Sequence, residues 1–141
     1  MDVIELGGLL TLSEVVAVAR HGAPVALGPE ARDQVKRARA MVDDLVASRR
    51  PVYGITTGFG KFSDVIISPD ETALLQRNLI MSHACGVGDP LDIEATRAMM
   101  LLRAQALSRG HSGITLETLE LMVAMLNTGI TPVVPEQGSL G

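Results

Sequence analysis

The chain has 141 residues, a formal charge of -4 and 47% hydrophobic residues, with Tyr53, Phe59 and Phe62 as its whole aromatic complement. That is enough chain for one domain with a real core, while the acidic balance argues against a nucleic-acid partner, which needs a basic face. The single cysteine, Cys85, excludes an internal disulfide and fits a cytoplasmic location. Residues 1–20 carry Asp2, Glu5 and Glu14 and do not read as a signal peptide, and no uncharged run approaches the ~20 residues that span a bilayer.

Asp2 to Leu6 alternates weakly, as a short edge strand does. Thr11-Leu12-Ser13-Glu14 is a capping box opening a short helix whose apolar positions are Leu12, Val15, Val16 and Ala19, with Gly22 as its stop. Pro24 to Leu27 reads as extended. Pro29 suits the first turn of a long helix to about Ser48, with an apolar stripe of Ala31, Val35, Ala38, Val42 and Leu45. Arg32, Lys36, Arg37 and Arg39 on that helix read as a solvated face balanced by Glu30, Asp33, Asp43 and Asp44.

Pro51 to Thr56 reads as a short strand. Ser68-Pro69-Asp70-Glu71 is a second capping box, starting a helix through Leu74, Leu75, Leu79 and His83 that gives out at Gly86 and Gly88. Asp89-Pro90 is expected to start the next helix, ending at Ser108 with Gly110 beyond it. Thr115 caps a last helix bearing Leu116, Leu119, Met122, Met125 and Leu126, stopped by Gly129. Pro135 to Gly141 reads as loop. The expected class is therefore mainly α, with five helices and a few short strands. Charged residues should lie outside. Apolar residues run nearly all round the helix from Ala98 to Leu107, which implies burial on more than one side and cover from further chain or other subunits.

The residues alone yield little chemistry. Gly54, Gly58 and Gly60 permit close backbone approach, but Gly-Phe-Gly lacks the third glycine of a dinucleotide loop. A glycine-rich turn is ordinarily just a turn, and Tyr53 is ordinarily a packed ring. His83, beside Ser82 in an apolar helix, suits a structural histidine bonded to backbone or neighbours. His21, His83 and His111 show no metal-ligand spacing and Cys85 has no partner cysteine, so no metal is expected. Cys85 and His83, two residues apart, fall on different helix faces and do not make a nucleophilic pair.

Three segments, in order, carry more: Tyr53-Gly54-Ile55-Thr56-Thr57-Gly58-Phe59-Gly60, the stretch from Asn78 through Ser82-His83 to Gly88, and Pro132 to Gly141 with its Gly138-Ser139-Leu140-Gly141 ending. Together they resemble the N-terminal third of the histidine ammonia-lyase family, a branch of the aromatic amino acid ammonia-lyases. Thr56-Thr57 stands where that family often has Asn-Thr. The resemblance implies the helical N-terminal portion of an ammonia-lyase-type fold, with residues 1–141 forming the active-site part of a larger subunit. It also implies non-oxidative deamination of L-histidine to trans-urocanate and ammonia. In the family, Gly-Ser-Leu-Gly leads into an Ala-Ser-Gly triplet that cyclises to 4-methylidene-imidazol-5-one.

The same resemblance assigns roles. Tyr53 matches the base that takes the β-proton, and His83, with Ser82, matches the pair facing the substrate's ring. Gly60 matches a position where backbone lies against substrate, and Gly138, Ser139, Leu140 and Gly141 flank the prosthetic group. The family's homotetramer fits the surplus of apolar helix surface. The expected Ala-Ser-Gly lies directly past Gly141, so the chain end reads either as a split before the modified residue, the favoured expectation, or as a true truncation without activity. Near alternatives are a tyrosine or phenylalanine ammonia-lyase or an aminomutase; a distant one is a catalytically silent scaffold of the same fold.

Overall fold

The computed structural model describes residues 2–48, 50–57 and 69–138, with no account of the side chains of 69–73. Among these residues are five helices and four short strands: β1 (Ile4–Leu6), α1 (Leu12–His21), β2 (Val25–Leu27), α2 (Pro29–Ala47), α3 (Pro69–His83), β3 (Val87–Pro90), α4 (Ile93–Ser108), α5 (Leu116–Thr128) and β4 (Pro135–Gln137). The mainly helical expectation holds. None of these helices is long and apolar enough to cross a membrane. The chain divides into two compact units, one of Met1–Ala40 with Asp89–Val134, the other of Met41–Gly88 with Pro135–Gly141.

In the first unit, β1 and β2 pair in parallel, Ile4 opposite Val25 and Leu6 opposite Leu27. The crossover is α1, whose ends follow the sequence signals. Thr11 accepts from the Glu14 N–H while the Glu14 carboxylate takes the Thr11 N–H at 2.7 Å, and Gly22 ends the helix in the left-handed region at φ 67°. These bonds hold the Glu14 carboxyl below the usual carboxylate range, the backbone bond from Thr11 counting most and the Thr11 hydroxyl next. The inward residue of α1 is Val18, fully buried, whereas Leu12 and Val16 are exposed. Valine and alanine occupy nearly every side of this helix, so its phase was not readable from periodicity.

Val25 turns its N–H and C=O away from β1, and the Asn127 side chain meets both, each at 2.8 Å. The core gathers Leu6, Val18, Val25, Leu27 and Val35 against Leu101, Ala104, Leu119 and Leu126; full burial of each such leucine or valine contributes about 1.5–3 kcal/mol. Every buried hydrophobic side chain among the described residues belongs to this unit.

Helix α2 keeps the expected stripe, with Ala31 and Val35 buried and Ala38, Val42 and Leu45 half-buried. Its arginines are not uniformly solvated. Arg32 Nε donates to the Leu27 carbonyl at 3.3 Å and its guanidinium pairs with Glu120, and Arg39 Nη1 donates to the Gly113 carbonyl. The long arginine stems let a charge on the outer face of a helix reach acceptors on neighbouring elements.

Helix α4 begins later than Asp89-Pro90. Those residues belong to β3, which pairs with β4, and the Leu91 N–H donates to the Val134 carbonyl at 2.8 Å. Asp92 is the actual N-cap, accepting from the Ala95 N–H at 2.6 Å. Two Asp-led starts lie three residues apart in the sequence, and strand pairing with a distant segment decides between them. The same pairing makes Pro135–Gln137 a strand rather than the expected loop. Gly110 follows the C-cap Arg109 at φ 70°, and a Cβ there would lie 2.7–2.8 Å from Gln34 Cβ and backbone.

The charged-outside rule fails at Arg97, which is 8% exposed in the midst of α4. Its Nε and Nη2 donate to the Val18 carbonyl at 3.2 and 3.0 Å, and its Nη1 to the Leu126 carbonyl at 3.0 Å. Met99 and Leu102, also on α4, remain about half exposed, as the apolar girth of this helix suggested.

Candidate active site

Tyr53 does not sit on a strand. Residues 53–56 form a turn in which the Ile55 and Thr56 N–H groups both donate to the Val52 carbonyl, at 3.1 and 3.0 Å. Gly54 adopts φ 71°, a conformation in which a Cβ would be strained. Thr56 ties the turn together: its hydroxyl accepts from the Val52 N–H at 2.9 Å and donates to the Arg50 carbonyl. Thr56 and Thr57 are buried, while Tyr53 is 63% exposed. Glycine and a threonine whose hydroxyl bonds the backbone of Val52 and Arg50 outweigh the β-propensity of Val52, Tyr53 and Ile55.

Thr56, which stands where the family often has asparagine, thus fixes the turn that carries Tyr53. A hydroxyl has the donor and the acceptor that this turn requires. That signal was present in the sequence.

Ser82 and His83 occupy the last turn of α3 and are exposed. Ser82 Oγ donates to the Leu79 carbonyl at 2.8 Å. His83 Nδ1 lies 2.9 Å from that same carbonyl and 2.9 Å from Ser82 Oγ. The helix closes beyond them with the Ala84 N–H on the Ile80 carbonyl. Gly138 follows β4 and is exposed.

Tyr53, Ser82, His83 and Gly138 all fall in the second unit, whereas the large core lies in the first. Gly60, Ser139, Leu140 and Gly141 lie outside the described residues, as do Phe59, Phe62 and Ser68 of the second capping box. Cys85 is a free, exposed thiol. Among the described residues, no three of His, Cys, Asp and Glu gather as a metal site.

The family model for aromatic amino acid lyases matches residues 10–141. The chain belongs to that family. It is 72% identical over its whole length to the histidine ammonia-lyase of Symbiobacterium thermophilum, of which it spans 28%. In solved structures it superposes on the ergothioneine-degrading ergothionase of Treponema denticola, with a TM-score of 0.92 and 37% identity. That match covers 98% of this chain and 28% of the other. It superposes almost as well on the tyrosine aminomutase of Streptomyces globisporus, with a TM-score of 0.91 and 32% identity over 98% of this chain and 26% of that one.

Proposed function

We propose that this chain is the Tyr53-bearing, N-terminal part of a histidine ammonia-lyase subunit that eliminates ammonia from L-histidine to give trans-urocanate. The observation carrying this reading is the 72% identity, held across all 141 residues, to a histidine ammonia-lyase. The fold serves lyases and aminomutases alike, so fold does not choose the substrate. Ser82-His83 supports histidine locally: a site that hydrogen-bonds a ring nitrogen rejects rings lacking one more strongly than an apolar pocket sorts by size.

In the reaction, Tyr53 takes the β-proton as the Cα–N bond breaks and the Cα–Cβ double bond forms, the nitrogen leaving as ammonia. A phenol with the ordinary pKa of about 10 needs activation to act as a base at neutral pH, and we assign that to the field of the completed site. Thr56 fixes the turn that carries the phenol, His83 with Ser82 orients the ring, and Gly60 lies against the substrate. The 4-methylidene-imidazol-5-one group supplies the electrophile that makes the amine a leaving group. By the family resemblance we assign its Ala-Ser-Gly precursor to the part of the subunit that Gly138 to Gly141 would lead into. The half-exposed Met99 and Leu102 support cover by further chain or another subunit; the homotetramer and its cytoplasmic location are carried into this proposal from the family resemblance.

The test uses the full-length protein with histidine, tyrosine and phenylalanine, following the absorbance of each unsaturated acid. Histidine should be the preferred substrate, and Tyr53→Phe should lower kcat by about 10²–10⁴-fold, the usual contribution of a general base. Turnover of Tyr53→Phe within a few-fold of the parent discards the base assignment; preference for tyrosine or phenylalanine discards the substrate.

A further inference from the structure

We propose that Ser82 and the Leu79 carbonyl lock His83 in the tautomer with its proton on Nδ1, so that in the neutral ring Nε2 meets a ligand only as a hydrogen-bond acceptor. A carbonyl oxygen accepts and never donates, so the 2.9 Å contact from Nδ1 to the Leu79 oxygen requires a proton on Nδ1. The second contact demands the same proton. Ser82 Oγ already donates to that carbonyl at 2.8 Å, which turns an oxygen lone pair toward Nδ1, 2.9 Å away. A bare Nδ1 would face lone pairs on both sides. Among the described residues, Nε2 has no such partner, and His83 is exposed. The nitrogen that makes a local bond fixes what the other can do.

The consequence deepens the ammonia-lyase reading and rests on it for the identity of the guest. A lone pair on Nε2 demands a ring that donates. Neutral histidine supplies one N–H and tyrosine supplies a phenol O–H, but a phenyl or thienyl ring supplies nothing. The lock therefore excludes phenylalanine-type rings through polarity, and leaves the choice between histidine and tyrosine to shape. Ser82 is a positioning residue: it acts through His83 rather than on substrate.

The test is long-range proton–nitrogen NMR on the full-length protein labelled at histidine ring nitrogens, at about pH 9, where imidazoles are neutral. The His83 signals are assigned by their loss in His83→Gln. The parent should show Nδ1–H, against the Nε2–H preference of free histidine. Ser82→Ala keeps the Leu79 carbonyl but removes one of the two acceptors facing Nδ1, so it should admit a minor Nε2–H population, and Ser82→Thr, which keeps the hydroxyl, should restore the parent spectrum. In kinetics, Ser82→Ala should raise KM for histidine about fivefold with kcat within about twofold, the scale of one hydrogen bond. Inhibition by β-(2-thienyl)alanine should strengthen in that variant. An Nε2–H ring in the parent, or a Ser82→Ala spectrum identical to the parent's, overturns the proposal. If no amino acid is turned over, the lyase reading fails, while the spectrum still decides the tautomer.

Discussion

Replacing Arg97 by methionine probes how the first unit holds its helix ends. At the end of α1, the Gly22 and Ala23 N–H groups both close on the Ala17 carbonyl, passing over Val18. At the end of α5, Gly129 reaches the Leu126 carbonyl only at 3.4 Å, while Ile130 takes Met125. The Val18 carbonyl is thus left to one guanidinium, which also supplements the long bond on Leu126, and the negative ends of two helix dipoles face a cation. Methionine preserves most of the volume and removes all three donors. Stranding the buried Val18 carbonyl and leaving Leu126 only its long bond costs about 2–3 kcal/mol together, offset in part because the variant no longer desolvates a charge. A net loss of about 2 kcal/mol is expected, which is roughly thirtyfold in a local opening equilibrium.

Hydrogen exchange read by mass spectrometry on the intact protein measures this loss. Peptides covering the α1–β2 and α5 ends should exchange about thirtyfold faster, with α3 unaffected. Arg97→Lys should fall between, because one ammonium cannot reproduce the fork that spans both carbonyls. Parent-like protection in Arg97→Met would show that these carbonyls do not depend on the side chain, and the account of Arg97 would be wrong.

Gly110→Ala should be costly, since its Cβ would lie 2.7–2.8 Å from the Gln34 Cβ and backbone at a φ of 70°; about 2–3 kcal/mol is expected, and an unchanged thermal midpoint would refute the close approach. Glu14→Gln should matter only above the acid range. The Thr11 N–H and hydroxyl hold the Glu14 carboxyl below its ordinary value, so its stabilisation is complete above that value and disappears as pH falls through the lowered one. The stability gap between parent and Glu14→Gln, followed by circular dichroism, should close on acidification; a gap independent of pH contradicts the assigned bond.

Most of the fold was legible because its signals are local. The Thr11 capping box, the Pro29 start, the Thr115 cap and the Gly22 and Gly129 stops each act within a few residues. What escaped depends on distant partners. Pro135–Gln137 is a strand through β3, and Asp89-Pro90 yields to Asp92 for the same reason. Arg97 looks like a surface charge until α1 and α5 present their carbonyls to it. The turn at Tyr53 was misread as a strand because the residues flanking Gly54 favour β structure, while the Thr56 hydroxyl bonds the backbone of Val52 and Arg50. The candidate site came from motif alone, through Tyr53, Ser82 and His83, and their roles belong to the proposed function. Composition and periodicity alone left each of these as an ordinary structural residue.

The amide of Asn127 stands in for a third strand. It takes the outward N–H and C=O of Val25, and Arg32 takes the neighbouring Leu27 carbonyl. That cover comes 102 positions after the strand it protects. During synthesis, β1, α1 and β2 emerge long before it, leaving a naked template for intermolecular pairing. The nascent chain is therefore most open to misassembly in the interval between Leu27 and Asn127 leaving the ribosome, when a chaperone shielding that rim would do most good.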